Sequence, residues 1–433
     1  MAETIGGVIF DGFALLGQMD RMDLVLFFWF TLLFELPRYF LGGMVMAYRG
    51  IIRVAYGPDP VPTALPSFSV IVAGHNEALS LPTCVRSILE QTAAMPRRRC
   101  EIIVVDDGST DGTAAVISDL QQQGLIDVGL SLATRGGKSA ATNLALAQCK
   151  HDFIIIVDAD TTFDRDAFEH LLRGFDDPKV GAVGGNLFVR NPDESLTTTY
   201  QDMEYRISIS LGRRVSSMLD LLAVVSGAFG AFRRSALDSV GGFDVEVGED
   251  ADITMKLRSA GWRVVFEPHA RAGTDVPATV MSLIHQRLRW DRSIVTIWWR
   301  KYHELINPFH ANFNLANAGV IFDVVLLQIL ISGAFFVYLA WVAWTFGWFT
   351  LIMLSATLSV YGCMTAASVV AANIVDGRRD TPKLLLYVPY FVIFSSFVMR
   401  FMRFYAALDE LVFRHSYQDP YVPPRVMQQV ERL

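Results

Sequence analysis

The most constraining feature of the sequence is a long apolar block near its C-terminal end. Residues 315–374 carry a single charged side chain, Asp323. Since a helix needs about 20 apolar residues to cross a bilayer, this block predicts two membrane spans joined by a turn near residues 345–348. A further apolar stretch begins at Leu384 and predicts a third span. Residues 315–412 are therefore predicted to form a membrane region of about three helices.

A shorter apolar segment lies in the N-terminal region, residues 1–55. Residues 24–46 are apolar enough to span once, although Glu35 and Arg38 interrupt them. Basic residues such as Arg49 follow directly, and basic residues just beyond a span favour the cytoplasmic side. This pattern predicts one span followed by a cytoplasmic domain. The alternative is a long core helix of a soluble domain.

The composition of the chain argues against some classes of protein. The chain has 433 residues and a net charge of −7, which argues against a general nucleic-acid binder. Its four cysteines have no metal-type spacing, which indicates a reduced compartment and no disulfide framework. The C-terminal residues 413–433 form a polar tail without a clear motif.

Between the apolar regions, residues 65–275 alternate apolar strands with amphipathic helices, which is typical of an α/β domain. Residues 154–157 are all β-branched and end at Asp158 and Asp160. Such a run predicts a strand buried on both faces of a parallel sheet, and ligands of these sheets bind at the carboxyl ends of strands. Because Mg²⁺ takes one or two protein carboxylates together with substrate phosphates, the pair predicts a divalent cation site. The alternative is a solvated surface turn.

Two further acidic pairs occur in this domain. Asp106 and Asp107 end an earlier strand, and Glu249 and Asp250 open a helical stretch. A nucleotide diphosphate needs carboxylates for its ribose or base, which the first pair could supply. Asp250 could act as general base toward an incoming nucleophile, with Glu249 positioning it. The alternative is that the second pair only stabilises the helix dipole.

Residues 277–305 form a predicted pair of amphipathic helices rich in arginine and tryptophan. Arg289 can bind a diphosphate bidentately, and Trp290 offers a flat face for a sugar ring. A basic face with aromatic residues is also typical of a helix in the membrane interface. The alternative is an ordinary surface helix.

Taken in order, four motifs resemble those of the processive membrane glycosyltransferases of family 2, which include cellulose, hyaluronan, chitin-oligosaccharide and poly-N-acetylglucosamine synthases. The motifs are Asp106-Asp107-Gly108-Ser109, Asp158-Ala159-Asp160, Gly248-Glu249-Asp250 and Gln286-x-x-Arg289-Trp290. The resemblance covers roughly residues 65–305 and continues into the flanking apolar segments. It implies an α/β GT-A glycosyltransferase domain, here within residues 65–275, plus an α-helical transmembrane region.

The resemblance also implies residue roles. The implied donor-binding residues are Asn76, Glu77, Asp106, Asp107, Lys138, Asp158, Gln286 and Arg289. The implied acceptor-binding residues are Trp290, Ser226 and Gly227. Asp250 and Glu249 are implied to be catalytic, and Asp160 and Asp158 to bind Mg²⁺ or Mn²⁺. Residues 225–229 look like the strand beneath the acceptor. The sequence departs from many relatives at His75, where they carry a tyrosine before the Asn-Glu pair.

The implied partners are a UDP-sugar donor (UDP-glucose or UDP-N-acetylglucosamine), a glycan acceptor, the lipid bilayer and export partner proteins. The implied activity is inverting, processive synthesis of a β-linked glycan, coupled to export. The implied location is the bacterial inner (plasma) membrane, multi-pass, with a cytoplasmic catalytic domain. Two alternatives stay open: non-processive transfer of one sugar to a lipid carrier, and a transport or scaffold protein that binds a nucleotide sugar without turnover.

Overall fold

The computed structural model describes residues 17, 20–35, 41–48, 65–92, 99–418 and 422–426. The chain divides into two compact units. One comprises Met1–Pro58 and Val325–Tyr405, and the other comprises Asp59–Val324 and Ala406–Leu433. The second unit, which we call the catalytic unit, contains all of the predicted site residues.

The catalytic unit is built on an eight-stranded sheet. Its strands are β1 (Phe68–Gly74), β2 (Cys100–Asp106), β3 (Val128–Ser131), β4 (Phe153–Asp158), β5 (Thr162–Phe163), β6 (Val180–Val189), β7 (Phe229–Arg233) and β8 (Arg263–Thr274). The spatial order is β3-β2-β1-β4-β7-β6-β8-β5. Strands β1 to β4 are parallel, whereas β7 runs antiparallel to both β4 and β6.

The expected parallel sheet is therefore only half correct, because β4 has one parallel and one antiparallel neighbour. The β-branched run correctly indicates that β4 is buried on both faces. Burial, however, does not depend on the direction of the neighbouring strand, so the composition of β4 could not distinguish a parallel from a mixed sheet.

The helices with defined bounds among the described residues follow in sequence order. They are α1 (Arg21–Phe30), α2 (Leu81–Thr92), α3 (Thr113–Gln122), α4 (Lys138–Leu146), α5 (Ala167–Arg173), α6 (Leu196–Glu204), α7 (Arg213–Met218), α8 (Arg234–Val240), α9 (Glu249–Ser259), α10 (Val280–Ile294), α11 (Leu315–Phe322), α12 (Ile331–Phe346), α13 (Phe349–Asp376), α14 (Thr381–Leu385), α15 (Val388–Ile393) and α16 (Arg400–Phe413). Wider π-helical turns occupy Thr31–Glu35, Tyr205–Gly212, Val295–Lys301, Asp323–Leu330 and Phe394–Met399, and short 3₁₀ turns occupy His303–Ile306 and His415–Gln418.

Two apolar clusters cover the two faces of the sheet. Because side chains alternate along a strand, Val72 and Val157 lie in one cluster, and Ile71 and Ile156 lie in the other. All four side chains are almost completely buried. This double core fixes the strand register and hence the positions of the residues that follow each strand.

The strand register brings the ends of β1, β2 and β4 to the same edge of the sheet. Gly74 pairs with Asp106, and Ala73 pairs with Asp158 on the other side of β1. The N–H of Asp107 donates to the carbonyl of Gly74 at 2.9 Å, which extends the β1–β2 pairing by one residue. The acidic motifs after β2 and β4 therefore flank the end of β1.

Three helical segments after the sheet are long and apolar enough to cross a membrane: Leu315–Phe346, Phe349–Asp376 and Val388–Phe413. The first two are separated at Gly347, whose φ of +55° suits glycine. Three apolar helices of sufficient length are thus present, with a break near residues 345–348, and their crossing of a membrane stays a prediction.

The predicted N-terminal span at residues 24–46 is described only in part. Helix α1 and the following π-helical turn extend to Glu35, and residues 41–48 are helical. Residues 36–40 and most of residues 1–55 lie outside the described residues. A single span here stays a prediction. In the same unit, the Phe30 ring stacks on the ring of Tyr338 with centroids 5.2 Å apart.

Candidate active site

The loop after β1 is tied to the loop after β2. Asn76 adopts a positive φ of 61°, and its N–H donates to Ser109 Oγ at 2.8 Å. Its side-chain oxygen accepts from the N–H of Thr110 at 2.9 Å. The Asp106 carboxylate accepts from the N–H of Ser109 at 2.9 Å. Asn76 and Asp106 thus hold the predicted donor-binding loops in place, and their direct contact with a donor stays a prediction.

Glu77 lies beside the carboxylates of β4. Burial raises the pKa of Glu77, the Ser80 hydroxyl opposes this, and the charge of Asp158 raises it further. Its N–H donates to Thr113 Oγ1 at 2.9 Å, which fixes it at the start of α3. The structure therefore places Glu77 near the predicted metal ligands, although the sequence assigned it only to the donor.

Asp107 organises the turn that begins α4. Its buried carboxylate accepts from the N–H of Gly136 at 2.7 Å and from the N–H of Gly137 at 2.9 Å. Gly137 has a φ of +87°, a conformation that other residues rarely adopt. The next residue is Lys138, the first residue of α4. Asp107 consequently fixes the position from which Lys138 enters the site.

Lys138 joins two of the predicted motifs. Its Nζ lies 2.5 Å from Asp158 Oδ1 and 3.3 Å from Glu249 Oε1. A Cβ placed on Gly227 would lie 2.7 Å from this Nζ, so a side chain at that position would require the ammonium to shift. The structure therefore brings β4, α4, the loop before β7 and the N-terminus of α9 to one point.

Asp250 lies in the first turn of α9. Its carboxylate accepts from the N–H of Ala251 at 2.8 Å and, more weakly, from the N–H of Gly227 at 3.4 Å. Burial, and next the charge of Glu249, raise the pKa of Asp250 to about 6, whereas Lys138 opposes the shift. A carboxylate titrating near neutral pH is suited to general-base catalysis.

The predicted metal ligands, Asp158 and Asp160, are partly buried carboxylates at the end of β4. Burial raises the pKa of Asp158 to about 6, against the attraction of Lys138, and burial also raises the pKa of Asp160. Among the described residues, no group of three or more His, Cys, Asp or Glu side chains could enclose an ion. Two carboxylates fit a hard cation whose remaining ligands are water and phosphate oxygens. Asp160 and Asp158 thus fit Mg²⁺ or Mn²⁺, with Asp158 already paired to Lys138.

The Gln286, Arg289 and Trp290 motif lies on α10. Trp290 is 39% exposed, and the guanidinium of Arg287 lies 4.7 Å from its ring centroid. Arg287 also donates to Glu204 Oε2 at 2.7 Å. Arg287, which sequence reasoning did not assign to the site, therefore orients the ring predicted to bind the acceptor. Gln286 Oε1 is buried and accepts no hydrogen bond from the described residues.

The predicted interface stretch, residues 277–305, is largely helical. Two of its arginines form ion pairs with carboxylates of the same unit. Arg292 donates to Asp409 at 2.8 Å and Arg300 to Glu410 at 2.5 Å. Trp298 is buried, whereas Trp299 is half exposed. Contact of this stretch with lipid stays a prediction.

The loop predicted beneath the acceptor differs from the expected strand. Strand β7 begins only at Phe229, and its N–H donates to the carbonyl of Ser226 at 3.2 Å in a tight turn. The expectation of a strand over residues 225–229 is therefore wrong, because the turn at Gly227 interrupts the apolar run. The turn nevertheless places Gly227 beside Asp250.

Sequence reasoning missed the helical segment formed by α6, the π-helical turn Tyr205–Gly212 and α7. The Nη1 of Arg213 is buried and has no hydrogen-bond partner among the described residues. Burial lowers the pKa of Arg213, while the nearby Asp250 and Tyr205 oppose this. The sequence signal was weak, since the pair Arg213-Arg214 resembles ordinary surface charge.

The polar tail also reaches the catalytic unit's loops. Val422 is buried and packs with Val247, which precedes the Gly248-Glu249-Asp250 motif. A Cβ placed on Gly137 would lie 3.6 Å from Pro423. No motif in the tail indicated this contact.

Residues 69–241 match the family model described as glycosyl transferase family 2. A poly-beta-1,6-N-acetyl-D-glucosamine synthase of Staphylococcus aureus (strain COL) is 32% identical over 235 residues, which cover 54% of this chain and 56% of that protein. A protein of the same name from Staphylococcus epidermidis is 33% identical over 224 residues, covering 51% of this chain and 53% of that protein. The chain thus spans about half the length of the curated relatives it matches.

A solved structure, a mannosyltransferase from Pyrobaculum calidifontis in complex with GDP-Man and Mn²⁺, superposes with a TM-score of 0.57. Its sequence identity is 22%, and the superposition covers 86% of this chain and 96% of that one. At this identity the likeness concerns the fold alone, and it confirms the predicted GT-A fold.

Proposed function

We propose that the chain, whose residues 69–241 match the glycosyl transferase family 2 model, synthesises a β-linked glycan at a membrane. The donor is a UDP-sugar, and the sugar is added with inversion to the non-reducing end of the growing chain. The observation that carries the proposal is the meeting of two motifs at Lys138, which contacts Asp158 and Glu249 beside the candidate base Asp250.

The donor is proposed to be UDP-N-acetylglucosamine. Support comes from the two staphylococcal relatives, whose names specify a poly-beta-1,6-N-acetyl-D-glucosamine product. UDP-glucose is the competing donor. The three apolar helices that follow the domain support synthesis at the bacterial inner membrane, with the product passing toward the far side. Processive growth, export and export partner proteins belong to this proposal.

In the proposed reaction, an acceptor hydroxyl attacks the anomeric carbon of the donor. The new C–O bond forms as the bond to the phosphate oxygen breaks, and UDP leaves. Asp250 takes the hydroxyl proton, which requires it to be deprotonated beforehand. Arg289 binds the departing diphosphate, since a guanidinium pairs bidentately with phosphate oxygens. Trp290 holds the terminal sugar of the acceptor against its exposed face.

A divalent cation has a place in this scheme on Asp160 and Asp158. When bound, Mg²⁺ or Mn²⁺ supplies Lewis-acid stabilisation of the diphosphate. The Lys138 ammonium, 2.5 Å from Asp158, adds fixed positive charge at the same end of the sheet. Pre-arranged charges of this kind stabilise a leaving group without reorganisation during the reaction.

Membranes that contain the full chain test the proposal directly. They are incubated with labelled UDP-N-acetylglucosamine or UDP-glucose and with Mg²⁺ or Mn²⁺, and both UDP release and product length are measured. We expect a long polymer from one donor and about 10²-fold or greater loss of UDP release in Asp250→Asn, since general-base catalysis contributes this much. A product that carries one added sugar would favour transfer to a lipid carrier. UDP release equal to that of membranes without the protein would favour a non-catalytic role.

A further inference from the structure

We propose that Lys301 and Asp252 form a positioning pair that holds the helix of the catalytic base, α9, against the helix of Arg289 and Trp290, α10. The inference rests on the proposed function, because it concerns the geometry of that reaction. Neither residue belongs to the motifs that define the site. Lys301 is the last residue of the π-helical turn that continues α10.

The contacts of Lys301 are short and converge on one element and the loop before it. Its Nζ lies 2.7 Å from Asp252 Oδ1, 2.9 Å from Asp244 Oδ2 and 3.6 Å from Glu246 Oε1. The neighbouring hydroxyl of Tyr302 donates to the same Asp252 Oδ1 at 3.0 Å. Two consecutive residues after α10 thus bind one carboxylate in the first turn of α9.

Burial makes this pairing necessary. Asp252 is 0% exposed, and its Oδ2 has no hydrogen-bond partner among the described residues. Burial raises the pKa of Asp252, and the Lys301 charge opposes that shift. Since a buried charge without a partner is strongly unfavourable, the carboxylate depends on Lys301 and Tyr302.

The same turn of α9 presents Asp250 to the site. Residues two apart on a helix lie about 200° apart around its axis, so Asp250 and Asp252 point in nearly opposite directions. Backbone contact reinforces the link, since a Cβ placed on Gly248 would lie 2.8 Å from Ser293 Cβ and 3.2 Å from Ile297 Cδ1. Release of Lys301 would therefore shift the base relative to Arg289 and Trp290.

Lys256, one turn after Asp252 on the same face of α9, provides a matched control. Its Nζ lies 2.7 Å from Asp244 Oδ1 and donates to the carbonyl of Gly242 at 3.0 Å. Like Lys301, it is partly buried and pairs with Asp244, but it has no ion pair with Asp252 among the described contacts. Loss of Lys256 removes a similar charge and leaves the link between α9 and α10 intact.

The experiment compares Lys301→Met, Lys301→Arg and Lys256→Met in the full-length membrane protein. The positioning role predicts that Lys301→Met lowers kcat by about 10- to 100-fold, because small misplacement of reacting groups has effects of this size. The KM for the donor should change by less than about 3-fold, Lys301→Arg should recover most of kcat, and Lys256→Met should stay within about 2-fold of the wild type. Hydrogen exchange of the α9 amides should accelerate in Lys301→Met only.

Equal kcat values and equal α9 exchange in Lys301→Met and Lys256→Met would overturn the positioning pair. A wild-type protein that transfers sugar from no UDP donor would instead overturn the proposed function, and the exchange data would then decide the positioning pair alone. If Lys301→Met does not fold, Asp252→Asn removes the buried charge, and Lys301→Met is measured in that background. In the Asp252→Asn background, Lys301→Met should lower kcat by much less than about 10-fold. A further loss of about 10-fold or more in that background would contradict the proposal.

Discussion

At the scale of single residues, the proposed role of Asp250 as general base predicts an acid limit for the proposed reaction. Burial and Glu249 raise its pKa to about 6, and Lys138 and Arg213 are the cationic groups that face it. A base must be deprotonated to accept a proton, so kcat should fall as pH drops through about 6 and level off above it. The measurement is a kcat–pH profile with saturating donor and metal. A profile that is flat between roughly pH 5 and 7 would contradict the assignment of Asp250 as the base.

Gly227 is a second residue for which the site predicts an effect of substitution, because Lys138 and Glu249 leave little space for a side chain there. A Cβ there would lie 2.7 Å from Lys138 Nζ and 3.4 Å from Glu249 Oε1. Gly227→Ala should displace the ammonium from Asp158 and lower kcat/KM by about 10-fold or more, because charge placement is lost. Gly362→Ala is the control, since nothing lies within 4 Å of a Cβ at that position. Steady-state kinetics of the two variants compare them directly, and equal kcat/KM values would mean that Lys138 tolerates the displacement.

At the scale of elements, α4 is positioned by a carboxylate on the loop after β2. Asp107→Asn should weaken the hydrogen bonds to Gly136 and Gly137, since a neutral amide oxygen is a poorer acceptor than a carboxylate. The start of α4 would then loosen, and we expect the KM for the donor to rise by about 5-fold or more. Asp119→Asn on the exposed face of α3 is the matched control. An unchanged donor KM in Asp107→Asn would show that other contacts hold the turn.

The sheet and the interface stretch show what element-level patterns encode. The apolar runs that end at Asp106 and Asp158 correctly placed β2 and β4, because strands buried on both faces are apolar without interruption. The direction of β7 was not predictable, since it depends on partner strands far away in the sequence. The turn at Gly227 is local, but a glycine in an apolar run does not by itself distinguish a turn from a strand. Likewise, the basic face of α10 suggested lipid contact, whereas Arg292 pairs with Asp409. A local pattern shows that a charge exists and does not show which carboxylate will neutralise it.

At the scale of the whole molecule, the polar tail is part of the catalytic unit. Val422 is 5% exposed and packs on Val247, which is 3% exposed. Val422→Asp should place an unpaired charge in this cluster and destabilise the tail contact by about 2 kcal/mol or more. Faster hydrogen exchange at residues 136–138 and earlier proteolysis of the tail would report the release. Arg425→Asp, at an exposed position, should behave like the wild type, and identical behaviour of the two variants would contradict a structural role for the tail.

The candidate acidic residues and the apolar helices of this protein could be recognised from the sequence. Asp106, Asp158 and Asp250 were recognisable because each follows a strand or opens a helix, and the C-terminal spans were recognisable from length and hydropathy. Both are properties of contiguous residues.

Only the tertiary structure decided how these parts cooperate. It placed Lys138 between two motifs, Arg287 on Glu204, and Lys301 on Asp252. The physical reason is that each of these contacts joins residues on different elements or selects one partner among several. Strand register and helix packing make those choices, and no periodicity within one segment records them.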